Sequence, residues 1–261
     1  KGDPGVPFTW LCFGSEGRRE QTLHTDQDNG ILFEARDAAE AASIRQRLLP
    51  IAQQINQHLA ACGFTLCKGN IMAGNPELCL SRAEWARRFG AFIREATPEN
   101  LLASTIYFDL RVVWGDEQGC AQLRRGILEQ VADNRLFQRM MADNALRHRP
   151  PVGRFREFVL ERKGSDKATL DLKVQGLTPF VDGARLLALA NGVEANNTLE
   201  RLRQLVALDV IEALDGAAYE EAYHFIQQTR MQQHQLQTRE NRPYSNRVDP
   251  DSLNQLDRRI L

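Results

Sequence analysis

The stretch Phe13-Gly14-Ser15-Glu16-Gly17-Arg18-Arg19-Glu20, followed by Thr25-Asp26-Gln27-Asp28, decides how this chain is read. Phe8 to Phe13 is a short apolar run with the character of a strand, and it passes into Gly14-Ser15 at a helix start. Such a turn offers backbone N–H groups and a hydroxyl, a natural cradle for phosphate oxygens. Gly14 and Gly17 let the backbone approach a ligand closely. Ten residues separate Ser15 from Asp26, room for a short helix and a return to the sheet. Asp26 and Asp28 stand at i and i+2 where a second strand, Asn29 to Phe33, begins. Alternation points them the same way, with Cα atoms about 6–7 Å apart. Two converging carboxylates repel each other. A divalent cation relieves that repulsion, and oxygen ligands suit Mg²⁺ or Mn²⁺.

Outward from this stretch, the first half alternates strand-like and helix-like segments. From Asp37 to Cys62 the residues Ile44, Leu48, Ile51, Ile55, Leu59 and Cys62 recur every three or four positions. That is one face of an amphipathic helix, kinked at Pro50 and closed by Gly63. Phe64 to Leu66 reads as a short strand. Ser81-x-x-Glu84 is a capping-box pattern opening a helix with Trp85, Phe89, Phe92 and Ile93 on its apolar face, and Thr97-Pro98 ends it. Thr105 to Trp114 then alternates as a strand. Ile106, Phe108, Leu110, Val112 and Trp114 form one apolar face; Asp109 and Arg111 share the other. This strand offers Asp109 as a third carboxylate, aimed away from the core.

After Gly115 helical periodicity dominates, with candidates at 117–132, 134–147, 179–191, 198–208 and 216–238. Arg147 to Gly153, with Pro150-Pro151, reads as a turn or linker, and Ser252 caps a last helix containing Leu253, Leu256 and Ile260. The expected class is α+β: a small mixed sheet with helices over 1–133, then an all-α helical bundle over 134–261.

The 261 residues have ordinary globular composition, 43% apolar and 26% charged, with a net charge of −1. No global basic field calls for nucleic acid. No apolar run approaches the roughly 18–20 residues of a membrane span. The five cysteines form no Cys-x-x-Cys pair and have no histidines clustered near them, so zinc is not expected. They read as buried, reduced thiols of a cytoplasmic protein. The chain begins with Lys1, and it is expected to be a piece of a longer protein.

Gly14-Ser15, ten residues, Asp26-x-Asp28 and a distant acidic residue together resemble the signature of the DNA-polymerase-β nucleotidyltransferase superfamily. Gly17-Arg18-x-Glu20 and Asp109-x-Arg111-x-x-x-Gly115-Asp116 are similar to the catalytic domain of protein-PII uridylyltransferase. Closer still, the chain resembles the nucleotidyltransferases of the DUF294 family. Cys67 to Leu78 is similar to that family's loop between catalytic strands. Asp171-Leu172-Lys173 through Arg185-Leu186-Leu187-Ala188-Leu189 is similar to its C-terminal helical domain. One departure is Asp109, where uridylyltransferases tend to carry Glu.

The resemblance implies transfer of an NMP group from a nucleoside triphosphate to an acceptor hydroxyl, on a protein or a small molecule, in bacterial signalling. Asp26, Asp28 and Asp109 would be the catalytic residues and would hold Mg²⁺ or Mn²⁺. Gly14, Ser15, Arg18, Arg111 and Lys173 would bind nucleotide, with Arg18 otherwise left to an ion pair with Glu20. Asn70 and Asn75 lie in a loop that could cover the site. CBS or cyclic-nucleotide-binding-like domains would precede this piece. Two alternatives stand beside it: a non-catalytic nucleotide sensor using the same cleft, and a metal-dependent phosphodiesterase or nuclease.

Overall fold

The structure, a computed structural model, describes residues 5–147, 169–253 and 255. It comprises two compact units: Lys1–Met140 with Leu189–Asn197, and Met141–Ala188 with Thr198–Leu261. The first is built on a small mixed sheet and the second is largely helical, as the sequence predicts.

The sheet of the first unit contains β1 (Thr9–Cys12), β2 (Asn29–Phe33), β3 (Cys79–Ser81) and β4 (Arg111–Trp114), in the order β3-β2-β1-β4. β1 lies antiparallel to both β2 and β4, whereas β2 and β3 run parallel. The helices are α1 (Gly14–Gly17), α2 (Ala38–Ala61), α3 (Arg82–Arg94), α4 (Pro98–Tyr107), α5 (Glu117–Ala132) and α6 (Arg135–Ala145), the last crossing the unit boundary.

Strand alternation splits the core in two. Trp10, Ile31 and Phe33 face α2, where Ala41, Ile44, Leu48 and Ala52 meet them. On the other face Phe13 packs on Trp85 and Tyr107, with ring centroids 5.6 and 5.2 Å away. Trp85 also donates its indole N–H to the Ile31 carbonyl at 2.9 Å. Phe13, immediately before the signature turn, is thereby fixed in an aromatic cluster. α2 starts where Asp37 accepts from the Glu40 N–H, runs unbroken across Pro50, and is followed by Gly63 at φ +101°. The capping box of Ser81 and Glu84 forms at the start of α3. Arg45 adds both Glu84 oxygens at 2.6 Å.

Three local expectations are corrected. Thr105 to Trp114 is not one strand: α4 occupies its first part, and β4 begins at Arg111. Thr97-Pro98 opens α4 rather than ending α3, with Thr97 accepting from the Asn100 N–H and proline in the first turn. Proline's fixed φ and missing N–H suit that position. Phe64 to Leu66 forms no strand, and Thr65 makes only an isolated bridge to Asp26. Cys12, Cys79 and Cys120 are buried as expected, while Cys62 is exposed; all five thiols are free.

The second unit carries α7 (Thr178–Ala190, ending in the first unit's segment), α8 (Thr198–Ala207) and α9 (Ala213–Arg239). A short ribbon pairs β5 (Leu170–Asp171) with β6 (Arg247–Val248), and Leu172–Leu177 forms a π-helical turn. Leu170, Leu172, Leu177, Val181, Tyr223, Ile226 and Val248 make its core. The expected linker at Arg147 to Gly153 and the helix after Ser252 fall almost wholly outside the described residues. No helix among the described residues is long and apolar enough to cross a membrane.

Candidate functional site

The turn after β1 and the strand start before β2 meet. The Phe13 N–H donates to the Asp28 carbonyl at 2.8 Å, closing the β1–β2 ladder. Gly14 then turns away with φ +54°, and a Cβ built there would stand 3.3 Å from Asp28 Oδ2. Glycine is thus required twice, by its left-handed backbone and by the carboxylate against it. One turn on, a Cβ at Gly17 would lie 1.7 Å from the Asp109 carbonyl oxygen. So α1 lies directly against the residue expected to supply the third carboxylate.

Alternation aims the strand-start carboxylates. Gln27 and Asn29 are buried, while Asp26 is exposed and Asp28 half-buried. Gln27 donates to the Asn56 and Phe64 carbonyls, each at 2.9 Å. Asn56 donates to Gln27 Oε1 at 2.8 Å and to Asn29 Oδ1 at 2.9 Å. Asn29 Oδ1 also accepts from the Ala73 N–H, and Asn56 Oδ1 from the Gly74 N–H. This buried amide network pins the 67–78 loop to the strand and sends Asp26 and Asp28 to the opposite side. Cys67, in that loop, hydrogen-bonds Asp28; burial, then the Asp28 charge, raises its thiol. Asn70 and Asn75 are joined to each other, Asn75 Nδ2 donating to the Asn70 carbonyl at 3.0 Å.

Among the described residues no group of three or more His, Cys, Asp or Glu is placed to hold a metal ion. Asp109 is fully buried, and its Oδ2 takes Arg18 Nη1 at 2.5 Å. Arg18 Nε meanwhile donates to Glu20 Oε2 at 2.7 Å. Burial pulls the Arg18 guanidinium down, and the charges of Asp109 and Glu20 outweigh it, so its pKa rises. The ion pair with Glu20 foreseen from the sequence therefore exists, but it is buried and shared with Asp109. These two contacts use Nε and Nη1 of a guanidinium that has five N–H donors.

Arg111 opens β4 beside the turn. Its Nη2 donates to the Glu16 carbonyl at 3.0 Å, while its buried Nε has no hydrogen-bond partner among the described residues. An orphaned guanidinium N–H costs free energy unless a ligand meets it. Glu16, which the sequence did not single out, also belongs here. Burial raises its carboxyl; Arg111 lowers it and the Asp28 charge raises it again. Lys173 lies in the second unit, exposed at the π-helical turn, where its backbone N–H donates to Asp171 at 3.0 Å.

Asn196 and Asn197 were missed as well. They stand in the late segment of the first unit, and their carboxamides donate to the carbonyls of Leu110 and Arg18. No spacing rule marks such residues, because their partners are backbone atoms far away in sequence.

No curated protein matches the chain. Residues 1–99 match a family model described as "Putative nucleotidyltransferase DUF294", and residues 135–261 match one described as "Putative nucleotidyltransferase substrate binding domain". The chain matches the DUF294 nucleotidyltransferase-related family at both of its ends.

Proposed function

We propose that the chain is a metal-dependent nucleotidyltransferase, uridylyl- or adenylyltransferase-like, moving an NMP group from an NTP to an acceptor hydroxyl. The observation that carries this reading is the contact of the Gly14-Ser15 turn with Asp28, where a built Gly14 Cβ stands 3.3 Å from Oδ2. A phosphate cradle and a carboxylate that could share a cation with it lie side by side. The acceptor oxygen bonds to the α-phosphorus, the bond to the bridging oxygen breaks, and pyrophosphate leaves. The acceptor proton goes to a strand-start carboxylate, Asp26 or Asp28.

Asp26 and Asp28 fit Mg²⁺ or Mn²⁺ by their oxygen chemistry. Such an ion is commonly held by one or two carboxylates plus substrate phosphates, so a larger protein cage is not required. When bound, it would neutralise the triphosphate charge. Asp109 is engaged by Arg18 through Oδ2, and would serve as a third carboxylate only alongside that cation. Ser15 and Arg111 would grip the phosphates, and the orphaned Arg111 Nε supports that role. Arg18 acts through Asp109 and Glu20. Lys173 is assigned to nucleotide by family resemblance alone. The acceptor, a protein or a small molecule, and CBS or cyclic-nucleotide-binding-like domains upstream remain part of the proposal, as does a cytoplasmic role in signalling.

The test is a thermal titration of each NTP with Mg²⁺ against the wild type and an Asp26→Ala, Asp28→Ala variant. A ligand that binds only the folded state raises the midpoint. A metal-dependent rise for one NTP, absent in the variant, is the expected result. No rise with any NTP would remove the reading. The Arg18–Asp109 pair favours a second reading, a nucleotide sensor, because it withholds one expected catalytic carboxylate. Metal-dependent NTP binding without pyrophosphate release on any acceptor would select the sensor.

A further inference from the structure

Five residues from three distant parts of the sequence close a ring around the signature turn. Asn196 Nδ2 donates to the Leu110 carbonyl, which also accepts from Arg124 Nη2 at 2.6 Å. Asp109, the neighbour of Leu110, holds Arg18 at 2.5 Å. The Arg18 carbonyl accepts from Asn197 Nδ2 at 3.0 Å, and the same nitrogen lies 3.4 Å from Glu20 Oε1. Asn196 and Asn197 are adjacent, so the circuit Asn196, Leu110, Asp109, Arg18, Asn197 is complete.

The two halves of this ring do different work. The ion pair joins the side chains of positions 18 and 109. The carboxamides join the backbones of positions 18 and 110. An ion pair tolerates changes of distance because charge acts at range, whereas a neutral N–H···O bond weakens steeply with length and angle. The asparagines therefore fix the spacing of the two backbones in a way the salt bridge cannot. Ser15 lies three residues before Arg18, and Arg111 follows Leu110. The segment that carries the asparagines, Leu189–Asn197, is the only part of the first unit drawn from late in the chain. Its Val193 is buried.

We propose that Asn196 and Asn197 are positioning residues that hold the signature turn and the start of β4 in register, and so set where Ser15 and Arg111 meet the triphosphate. The part concerning nucleotide rests on the function proposed above; the part concerning the backbone does not.

The experiment uses the full chain with Asn196→Ala, Asn197→Ala, and with Asn134→Ala as a control. Asn134 likewise donates a carboxamide to a backbone carbonyl, that of Ile93 at 3.1 Å, away from the turn. Hydrogen exchange by mass spectrometry is read over residues 14–20 and 108–112, and affinity for Mg²⁺ with the NTP that stabilises the wild type. Expected is exchange about tenfold faster in those two segments in the double variant alone. NTP affinity should fall about tenfold, with partial recovery in Asn197→Gln on the Asn196-intact background. Exchange that rises evenly over the unit, or equally in the control, overturns the proposal, as does unchanged NTP affinity. If the wild type binds no NTP, the proposed function fails, and the exchange pattern still decides for or against the clip. If the double variant does not fold, Asn197→Ser is read in the same two ways.

Discussion

Replacing Asp109 with Asn separates a buried latch from a metal ligand. Asp109 is fully buried, and Arg18 keeps only about a tenth of its side chain exposed. Removing one partner of a buried pair costs about 3–5 kcal/mol, because the other charge is stranded away from water. Two features favour the low end. Asn retains an oxygen that can accept from Arg18 Nη1, and Glu20 still holds Nε at 2.7 Å. The expected loss is therefore about 3 kcal/mol. At about 2–4 °C per kcal/mol for a protein of this size, the midpoint should fall by about 6–12 °C without metal or nucleotide. Urea unfolding followed by far-UV circular dichroism supplies the same quantity near room temperature. An Arg18→Met variant and the double variant complete a cycle whose coupling should exceed about 1 kcal/mol. A carboxylate clustered with Asp26 and Asp28 would behave oppositely, since neutralising it relieves repulsion and leaves the metal-free protein unchanged or stabilised. A loss below about 1 kcal/mol for Asp109→Asn would refute the latch and return Asp109 to the metal site.

Two further outcomes follow from the same geometry. Gly17→Ala places a methyl group 1.7 Å from the Asp109 carbonyl oxygen and 2.9 Å from its carbon, backbone atoms that cannot rotate aside. Its cost should reach at least about 3 kcal/mol, the upper end of overpacking, and a melting midpoint near the wild type would show that α1 does not lie there. The thiols should separate by burial. Burial pushes Cys12 and Cys79 up to about 12, which leaves about one thiolate in ten thousand at pH 8. A chromogenic disulfide reagent should thus titrate exposed Cys62 first and half-buried Cys67 more slowly. Cys12, Cys79 and Cys120 should react only after denaturation, and three or more fast thiols in the folded chain would contradict the packing of β1 and β3.

The sequence was most legible where local chemistry and tertiary packing agree. Asp37 and Gly63 bracket α2, and the Ser81–Glu84 box starts α3, because a cap acts within a few residues of the backbone groups it satisfies. It misled at Thr105 to Trp114, where alternation and helical spacing coexist. Ile106, Phe108 and Leu110 satisfy a period of two, but Leu101, Ser104, Tyr107 and Phe108 equally line one side of a helix, and all four are buried. The deciding signal was present in Thr97-Pro98, a hydroxyl cap followed by proline in the first turn, read as a stop when it is a start. Phe64 to Leu66 had the composition of a strand but finds only the bridge from Thr65 to Asp26, and a strand exists only where a neighbour completes its ladder.

The site divides along the same line. The i, i+2 spacing of Asp26 and Asp28 was readable because alternation is a property of the backbone, and burial of Gln27 and Asn29 on the other side enforces it. What spacing could not reveal is which charges neutralise each other. Arg18 and Asp109 were assigned separately to substrate and metal, as two exposed charges would be. They lie 91 positions apart in sequence and 2.5 Å apart in space. Once both are out of water, desolvation makes an unpaired charge more costly than any single contact with substrate would recover. The pairing therefore takes precedence in the free protein. Asn196 and Asn197 extend the point, because they carry no charge and match no motif. Their importance lies in the two backbones they touch, one 86 and the other 179 positions away. Such links are set by loop closure over long separations, whose outcome depends on the whole core rather than on neighbouring residues. A carboxylate's role in a site of this kind thus has to be judged after its cation partners are known, and here the partner of Asp109 comes from the same turn that presents Ser15.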